Sequence, residues 1–196
     1  MKRISSLFFA LSLGIALGIG TPTLSSAKTG GPFILMDHNN NTVTDKSFRG
    51  KYMLMLFGYT FCPDICPTGM QELASVMDLL GDDAKQFQPI FITVDPERDT
   101  IEVMRDYVQA FDDRIIGLIG SKSAIASMAK KYRVKFARVE ETPGTPGYTM
   151  DHGASLILMD PEGNYIRRFG YGTSAEKIVN FLKNELNNRL MNGPSQ

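Results

Sequence analysis

The chain has 196 residues, of which 43% are hydrophobic and 21% are charged, which is typical of one globular domain and excludes a repeat array or a disordered tail. Its 21 basic residues equal its 21 acidic residues in number, so we expect no nucleic-acid partner, because no basic excess is available to neutralise a phosphate backbone. With only two Cys and two His, any metal or redox site must be built from very few side chains.

The first 27 residues have the three parts of a bacterial secretory signal peptide. Lys2 and Arg3 carry positive charge, residues 7–19 are apolar, and residues 25–27 (Ser-Ser-Ala) are small, as a signal peptidase requires. Because thirteen apolar residues are fewer than the ~20 that span a bilayer, we predict cleavage, with an uncleaved membrane anchor as the alternative. The mature chain, 28–196, is then a single exported domain in the bacterial periplasm or at the outer face of the cytoplasmic membrane.

Segments typical of strands and helices alternate along the mature chain. Strands are predicted at 33–36, 42–44, 52–59, 89–94, 115–119, 134–139, 155–159 and 165–169, and helices at 67–80, 99–110, 121–132 and 174–190. A loop at 140–147 leads to His152 at the rim of the sheet. An N-terminal hairpin, parallel crossovers in the middle and an antiparallel hairpin at the end predict an α/β sandwich with a mixed central sheet and flanking helices, an outline that resembles thioredoxin-like domains.

Both cysteines lie between the first central strand and the helix that follows it. Pro67 suits the first helical position and pushes Cys66 out of the helical region, so we expect Cys66 at or near the N-cap. There the positive end of the helix would stabilise a thiolate and lower the pKa of Cys66. Cys62 lies in the same short loop, so the two sulfurs point toward one place.

The cysteine pair is compatible with a structural disulfide, a redox-active dithiol or a metal site. A structural disulfide is disfavoured because closing so short a loop removes little entropy from the unfolded chain. A metal site needs a third ligand, and His152 is the candidate because strand and loop ends on the carboxyl side of such sheets meet in one crevice. Two thiolates and one imidazole suit Cu(I), whereas structural zinc would need a fourth ligand such as His38 or a carboxylate.

Other candidate residues are assigned structural roles. His38 lies in a polar turn beside three Asn, and we expect it to be solvated. Met53 and Met55 alternate on one strand, so we expect them in the core rather than as additional copper ligands. Asp99 and Glu102 are three residues apart at a helix start, which predicts a capping box.

Three segments together resemble the Sco/SenC family of copper-binding proteins with a thioredoxin fold, and they occur in the family's order. They are FGYTFCPDICPT at 57–68, TVDPERDT at 93–100 and YTMDHGASLILMDPEGNYIRRF at 148–169. The resemblance spans about residues 30–190 and implies that Cys62, Cys66 and His152 bind one copper ion per chain, with Cu(I) favoured.

The resemblance also implies a role and partners. The implied role is that of an assembly factor that delivers copper to the binuclear copper centre of a cytochrome c oxidase subunit, reduces that subunit's cysteines, or does both. The implied partners are that subunit or another exported copper protein, together with a thioredoxin-like reductant, close to the membrane. Asp95 and Asp151 are implied to lie near the site, where Asp151 is a candidate for fixing the tautomer of His152. Gly69 and Gly153 depart from the family, which often has larger or polar residues there.

Two enzymatic functions are the alternatives. A thiol-disulfide oxidoreductase would use Cys62 and Cys66, but such reductants typically separate their cysteines by two residues and place a Pro where this chain has His152. A peroxiredoxin-like peroxidase is suggested by Cys66 followed by Pro-Thr, but Tyr59 and Pro63 depart from the Pro-x-x-x-Thr-x-x-Cys pattern of those sites.

Overall fold

A computed structural model of the protein describes residues 28–140 and 147–193. The signal peptide predicted for residues 1–27 lies outside these ranges, as does most of the loop predicted at 140–147, and both stay predictions. None of the helices in the described ranges is long and apolar enough to cross a membrane.

The described part of the chain has the predicted strands and α-helices in the predicted order, together with one further strand at residues 148–152. The strands are β1 (Ile34–Asp37), β2 (Thr42–Thr44), β3 (Tyr52–Gly58), β4 (Phe87–Thr93), β5 (Ile116–Ile119), β6 (Phe136–Glu140), β7 (Tyr148–His152), β8 (Leu156–Met159) and β9 (Tyr165–Phe169). The α-helices are α1 (Ile65–Leu80), α2 (Ile101–Gln109), α3 (Lys122–Lys131) and α4 (Ala175–Asn192), and short 3-10 helices lie at Asp45–Phe48 and Gly81–Gln86.

Seven strands form one mixed sheet in the order β2-β1-β5-β4-β3-β8-β9. The central strands β3, β4 and β5 are parallel, whereas β1 is antiparallel to β5 and β8 is antiparallel to β3. β1 and β2 form the predicted N-terminal hairpin, and β8 and β9 form the predicted C-terminal one. The expected α/β architecture with a mixed central sheet and flanking helices is therefore confirmed.

The core has two halves, one on each face of the sheet, and β3 contributes to both. Leu54 and Leu56 pack with residues of α1 and α4, whereas Met53 and Met55 pack on the other face with residues of α3. Alternate side chains of a strand point to opposite faces, and here both faces are covered, which explains the unbroken apolar run of β3. The prediction that Met53 and Met55 are core residues is confirmed, since their exposed fractions are 1% and 0%.

The strands β6 and β7 stand apart from this sheet as a two-stranded antiparallel ribbon. His152 is the last residue of β7 and lies opposite Phe136. The sequence placed His152 in a loop before the next strand, but residues 148–152 form a strand of their own because β6 supplies a pairing partner.

The turn that contains His38 is packed rather than solvated, so the expectation for this residue was wrong. His38 is buried, and its Nδ1 accepts a hydrogen bond of 3.0 Å from the backbone N–H of Gly117 on β5. Arg105 on α2 donates through Nε to the backbone carbonyl of His38 at 3.0 Å. The polar sequence around His38 indicated a turn, but the tertiary fold packs that turn against β5 and α2.

The capping box predicted from Asp99 was also wrong. Thr100 is the N-cap of α2, and its hydroxyl accepts a hydrogen bond of 3.3 Å from the backbone N–H of Val103. Asp99 is fully buried and accepts hydrogen bonds from Thr60 and Thr93 instead. The helix therefore begins one residue later than the spacing of acidic residues suggested.

The substitution Thr100→Ala tests this assignment. It removes the side-chain oxygen that caps α2, so we expect the free energy of unfolding to fall by about 1 kcal/mol. Thr100→Ser keeps the hydroxyl and is the matched control, for which we expect little change. Equal stabilities of the two variants in urea denaturation would show that the cap lies elsewhere.

Candidate metal centre

Three potential metal-binding side chains converge beyond the carboxyl end of β3. Cys62 lies in the loop after β3, Cys66 in the first turn of α1 and His152 at the end of β7. One ligand atom from each lies within 4.8 Å of the other two, and all three residues are buried. Cys66 Sγ and His152 Nε2 are 3.1 Å apart. The structure thus brings together the three residues that the sequence singled out.

The position of Cys66 depends on a close approach between α1 and β3. α1 begins at Ile65, with Asp64 as its N-cap, so Cys66 lies near the cap as expected, but inside the first turn. Pro67 is the third helical residue rather than the first, and that part of the prediction was wrong. Pro67 is tolerated there because the first N–H groups of a helix have no intrahelical partner. Gly58 makes room for the sulfur, since a Cβ at this position would lie 2.8 Å from Cys66 Sγ.

The pKa of Cys66 contradicts the expectation of a stabilised thiolate. Burial raises the pKa of Cys66 far above its ordinary value, and the neighbouring Cys62 raises it further, although the backbone of Tyr59 opposes the shift. The desolvation of a buried thiolate therefore outweighs the effect of the helix N-terminus. Both cysteines are free thiols in the structure, and Cys66 holds its proton at neutral pH.

His152 is held as a neutral imidazole. Burial lowers the pKa of His152, which favours the form that binds metals. Its Nδ1 faces the carbonyl oxygen of Gly153 at 3.4 Å, and because a carbonyl only accepts, this arrangement places the proton on Nδ1 and directs the Nε2 lone pair toward Cys66. The ring also packs edge-on against Tyr59, with centroids 5.7 Å apart.

The candidate role of Asp151 in fixing the tautomer of His152 is not what the structure shows. Asp151 is exposed, and the hydrogen-bond partner of Nδ1 is the Gly153 carbonyl. Neighbouring residues of a strand point to opposite faces, so Asp151 and His152 cannot both face the site. Asp151 raises the pKa of His152 only through its charge.

Two other buried carboxylates support the site without touching the ligand atoms. Asp99 accepts hydrogen bonds from the hydroxyl and the backbone N–H of Thr60 and from the hydroxyl of Thr93 at 2.7, 3.1 and 2.6 Å. It thereby anchors the loop that carries Cys62, a role that sequence reasoning missed. The sequence offered one signal for this role: Thr100, a good N-cap residue, directly follows Asp99 and can cap the helix in its place. Asp95 accepts from Tyr148 Oη at 2.7 Å and forms an ion pair with Arg98.

A fourth ligand is not part of this group. Among residues 28–140 and 147–193, no other His, Cys, Asp or Glu joins the three donors, and His38 is engaged with β5. The donor set of two sulfurs and one imidazole fits a soft ion of low coordination number better than tetrahedral zinc.

The two glycines that depart from the family pattern differ in their surroundings. A Cβ at Gly69 would lie 3.1 Å from Leu56 Cδ2, so a larger residue would require that side chain to move. A Cβ at Gly153 would meet no described atom within 4 Å. Neither glycine contributes a side chain to the site.

These features define a thioredoxin-like domain that carries a buried Cys-Cys-His group at the start of its first main helix. The chain belongs to the SCO1/SenC family, whose model matches residues 21–187. The family membership agrees with the resemblance of the three sequence segments.

Similar proteins of known structure and a curated relative agree with this assignment. The chain is 43% identical to Bradyrhizobium japonicum ScoI with copper bound, with a TM-score of 0.73 over 80% of this chain and 98% of that one. It is 36% identical to Arabidopsis thaliana ScoI with copper bound, with a TM-score of 0.75 over 81% and 98% of the two chains. An SCO2-like protein of Rickettsia prowazekii is 37% identical over 158 residues, which are 81% of this chain and 77% of that protein.

The substitution Gly58→Ala tests the close approach of α1 to β3. The added methyl group would lie 2.8 Å from both Cys66 Sγ and Phe91 Cε2, and such overpacking costs about 1–3 kcal/mol of unfolding free energy. Gly153→Ala is the matched control at the same site, and we expect it to be nearly neutral. Equal denaturation midpoints for the two variants would contradict the packing described for Cys66.

Proposed function

We propose that the protein is a copper metallochaperone that binds one copper ion through Cys62, Cys66 and His152 together. The observation that carries this proposal is the convergence of two thiol sulfurs and one imidazole nitrogen within 4.8 Å in a buried position. The similarity to copper-bound ScoI proteins of two organisms supports copper as the cargo.

The donor set favours Cu(I) as the form that is carried. Thiolate sulfur is a soft ligand that selects Cu(I), and three ligands satisfy this ion. A three-coordinate ion can accept an incoming ligand from a recipient before it loses one of its own, so copper can pass between proteins without being released into water. Cys62 is itself buried, but it directly follows Phe61, which is 55% exposed, so the loop that carries Cys62 reaches the surface where a recipient could approach.

We place the recipient outside the cytoplasm. The resemblance of the three sequence segments to the Sco/SenC family implies delivery to the copper-receiving subunit of cytochrome c oxidase or to another exported copper protein. The charge pattern, apolar run and small residues of residues 1–27 support export to the bacterial periplasm or to the outer face of the cytoplasmic membrane.

A thiol-disulfide reductant of a copper protein is the second candidate function. It is favoured by the same observation that Cys62 and Cys66 are free thiols side by side. In that reaction the pair would form a disulfide and transfer two electrons and two protons to a disulfide of the partner, and a thioredoxin-like protein would reduce the pair again. The raised pKa of Cys66 disfavours this residue as the attacking thiolate of a peroxidase, and equally as the attacking thiolate of a reductant.

An anaerobic Cu(I) titration of the reduced domain from Lys28 onward, against a competing chelator, tests the metallochaperone proposal. We expect one tightly held copper ion per chain. In Cys62→Ser, Cys66→Ser and His152→Ala the affinity should fall by more than the roughly 100-fold that the loss of an outer-sphere partner costs. Met55→Leu removes a buried sulfur of the core and is the control that should bind copper normally.

The same titration has an expected pH dependence. The pKa of Cys66 is raised, so at neutral pH each bound Cu(I) displaces the thiol proton and the affinity should increase with pH. If copper stays with the chelator while Cys62 and Cys66 reduce a partner disulfide, the metallochaperone proposal is wrong and the protein is a thiol-disulfide reductant. Unchanged copper binding by His152→Ala would show that the third ligand is wrong.

The export proposal predicts the N-terminus of the mature protein. Intact-mass measurement of the protein from its native host should give Lys28 as the first residue. Ala27→Phe removes the small residue before the cleavage point and should leave the segment 1–27 attached. A parent protein that retains Met1 would indicate a membrane-anchored chain instead.

A further inference from the structure

We infer that Arg98 is a positioning residue that ties the ribbon carrying His152 to the loop carrying the cysteines. Arg98 lies between β4 and α2 and belongs to neither ligand-bearing segment. The expected effect of Arg98 on copper affinity rests on the proposed function, whereas the contact between the ribbon and the cysteine loop is a property of the metal-free protein.

The guanidinium of Arg98 contacts aromatic rings from both segments. Its central carbon lies 3.7 Å from the ring centroid of Tyr148 on β7, and 5.1 and 5.6 Å from those of Phe61 and Tyr59 in the loop after β3. Each distance is within the range of a cation–π interaction. One cation therefore bridges the first residue of β7 and the residues on either side of Thr60.

Hydrogen bonds hold the guanidinium in this position. Arg98 donates through Nη1 to the backbone carbonyl of Tyr148 at 2.9 Å and through Nε to the carboxylate of Asp95. Tyr148 Oη in turn donates to the same carboxylate at 2.7 Å. Asp95, Arg98 and Tyr148 thus form a closed set of contacts, and Asp95 acts on the site through them rather than through a ligand.

The ribbon needs such a tie because of its topology. β6 and β7 pair only with each other among the described strands, and an isolated two-stranded ribbon is marginally stable in water. Most of β6 is exposed, and the apolar side chains of the ribbon that pack against the core, Phe136 and Met150, are only partly buried. The place of His152 therefore also depends on polar and stacking contacts, and Arg98 makes a backbone hydrogen bond and a stacking contact at the first residue of β7.

The tie has a consequence for metal binding. With Arg98 in place, His152 Nε2 is held 3.1 Å from Cys66 Sγ before any metal arrives, so binding requires little ordering of the ribbon. Without it, the ribbon moves away from the loop more often and the two sulfurs are left without their third ligand. A Lys could not replace Arg98, because it lacks the planar group that stacks and donates in two directions at once.

Arg98→Met is the test, with Arg98→Lys as the variant that keeps the charge. The matched control is Arg167→Met. Arg167 on β9 stacks on Phe181 of α4 at 4.8 Å, so this variant also removes a stacked guanidinium, but away from the ribbon. Hydrogen exchange of the amides of β7 and the ring nitrogen signals of His152 are measured in the metal-free protein. His38, the second of the two histidines, serves as an internal reference within each sample.

We expect both Arg98 variants to accelerate exchange in β7 and to shift the ring signals of His152, while the signals of His38 and the exchange of β3 and β4 stay unchanged. The Cu(I) dissociation constant should increase about tenfold in Arg98→Met and not at all in Arg167→Met. Unchanged β7 exchange and His152 signals in a folded Arg98 variant would overturn the inference, even if copper binding were weaker.

The two proposals fail in different ways. A parent protein that binds no copper overturns the metallochaperone, while the measurements on the metal-free protein still decide whether Arg98 ties the ribbon. If Arg98→Met does not fold, Arg98→Lys and Tyr148→Phe decide instead. Tyr148→Phe removes only the hydrogen bond to Asp95, so it should accelerate β7 exchange less than Arg98→Lys does, and no acceleration in either variant would overturn the tie.

Discussion

The contact between Cys66 Sγ and His152 Nε2 is the constraint on which the site depends, because it joins residues 86 positions apart in the chain. Burying a thiol and an imidazole together costs solvation free energy, so each must be held by other contacts. Gly58 admits the sulfur against β3, Asp99 anchors the loop of Cys62, and Arg98 joins that loop to β7. The ligand group is thus set by three separate parts of the fold.

Burial also decides the protonation of the site. It raises the pKa of Cys66 and lowers the pKa of His152, so both groups are neutral when they meet. A soft cation can replace the thiol protons and gain sulfur ligands, whereas a bare thiolate would be poorly solvated there. The same environment that favours copper therefore disfavours peroxidase chemistry at Cys66.

Metal binding and disulfide reduction would use the same two sulfurs, and the imidazole of His152 is the group that distinguishes the two functions. A dithiol reductant uses two cysteines, whereas a three-ligand copper site also needs the imidazole, which the structure holds beside Cys66. The supporting residues serve both functions equally, since the loop of Cys62 must be ordered in either case. The imidazole that distinguishes copper binding from disulfide reduction is therefore at the end of β7, in the ribbon that lies outside the main sheet.

The sequence by itself determined the order of the main-sheet strands and the α-helices, the buried strand β3, the two hairpins and the three candidate ligands, because apolar periodicity, turn residues and short motifs are local. The metal role of His152 needed the resemblance to the Sco/SenC family as well as the expected meeting of strand ends. Tertiary structure alone decided the burial of His38, the role of Asp99, the outward position of Asp151 and the raised pKa of Cys66. Each of these depends on what packs against the residue from distant parts of the chain, and no local pattern records that packing.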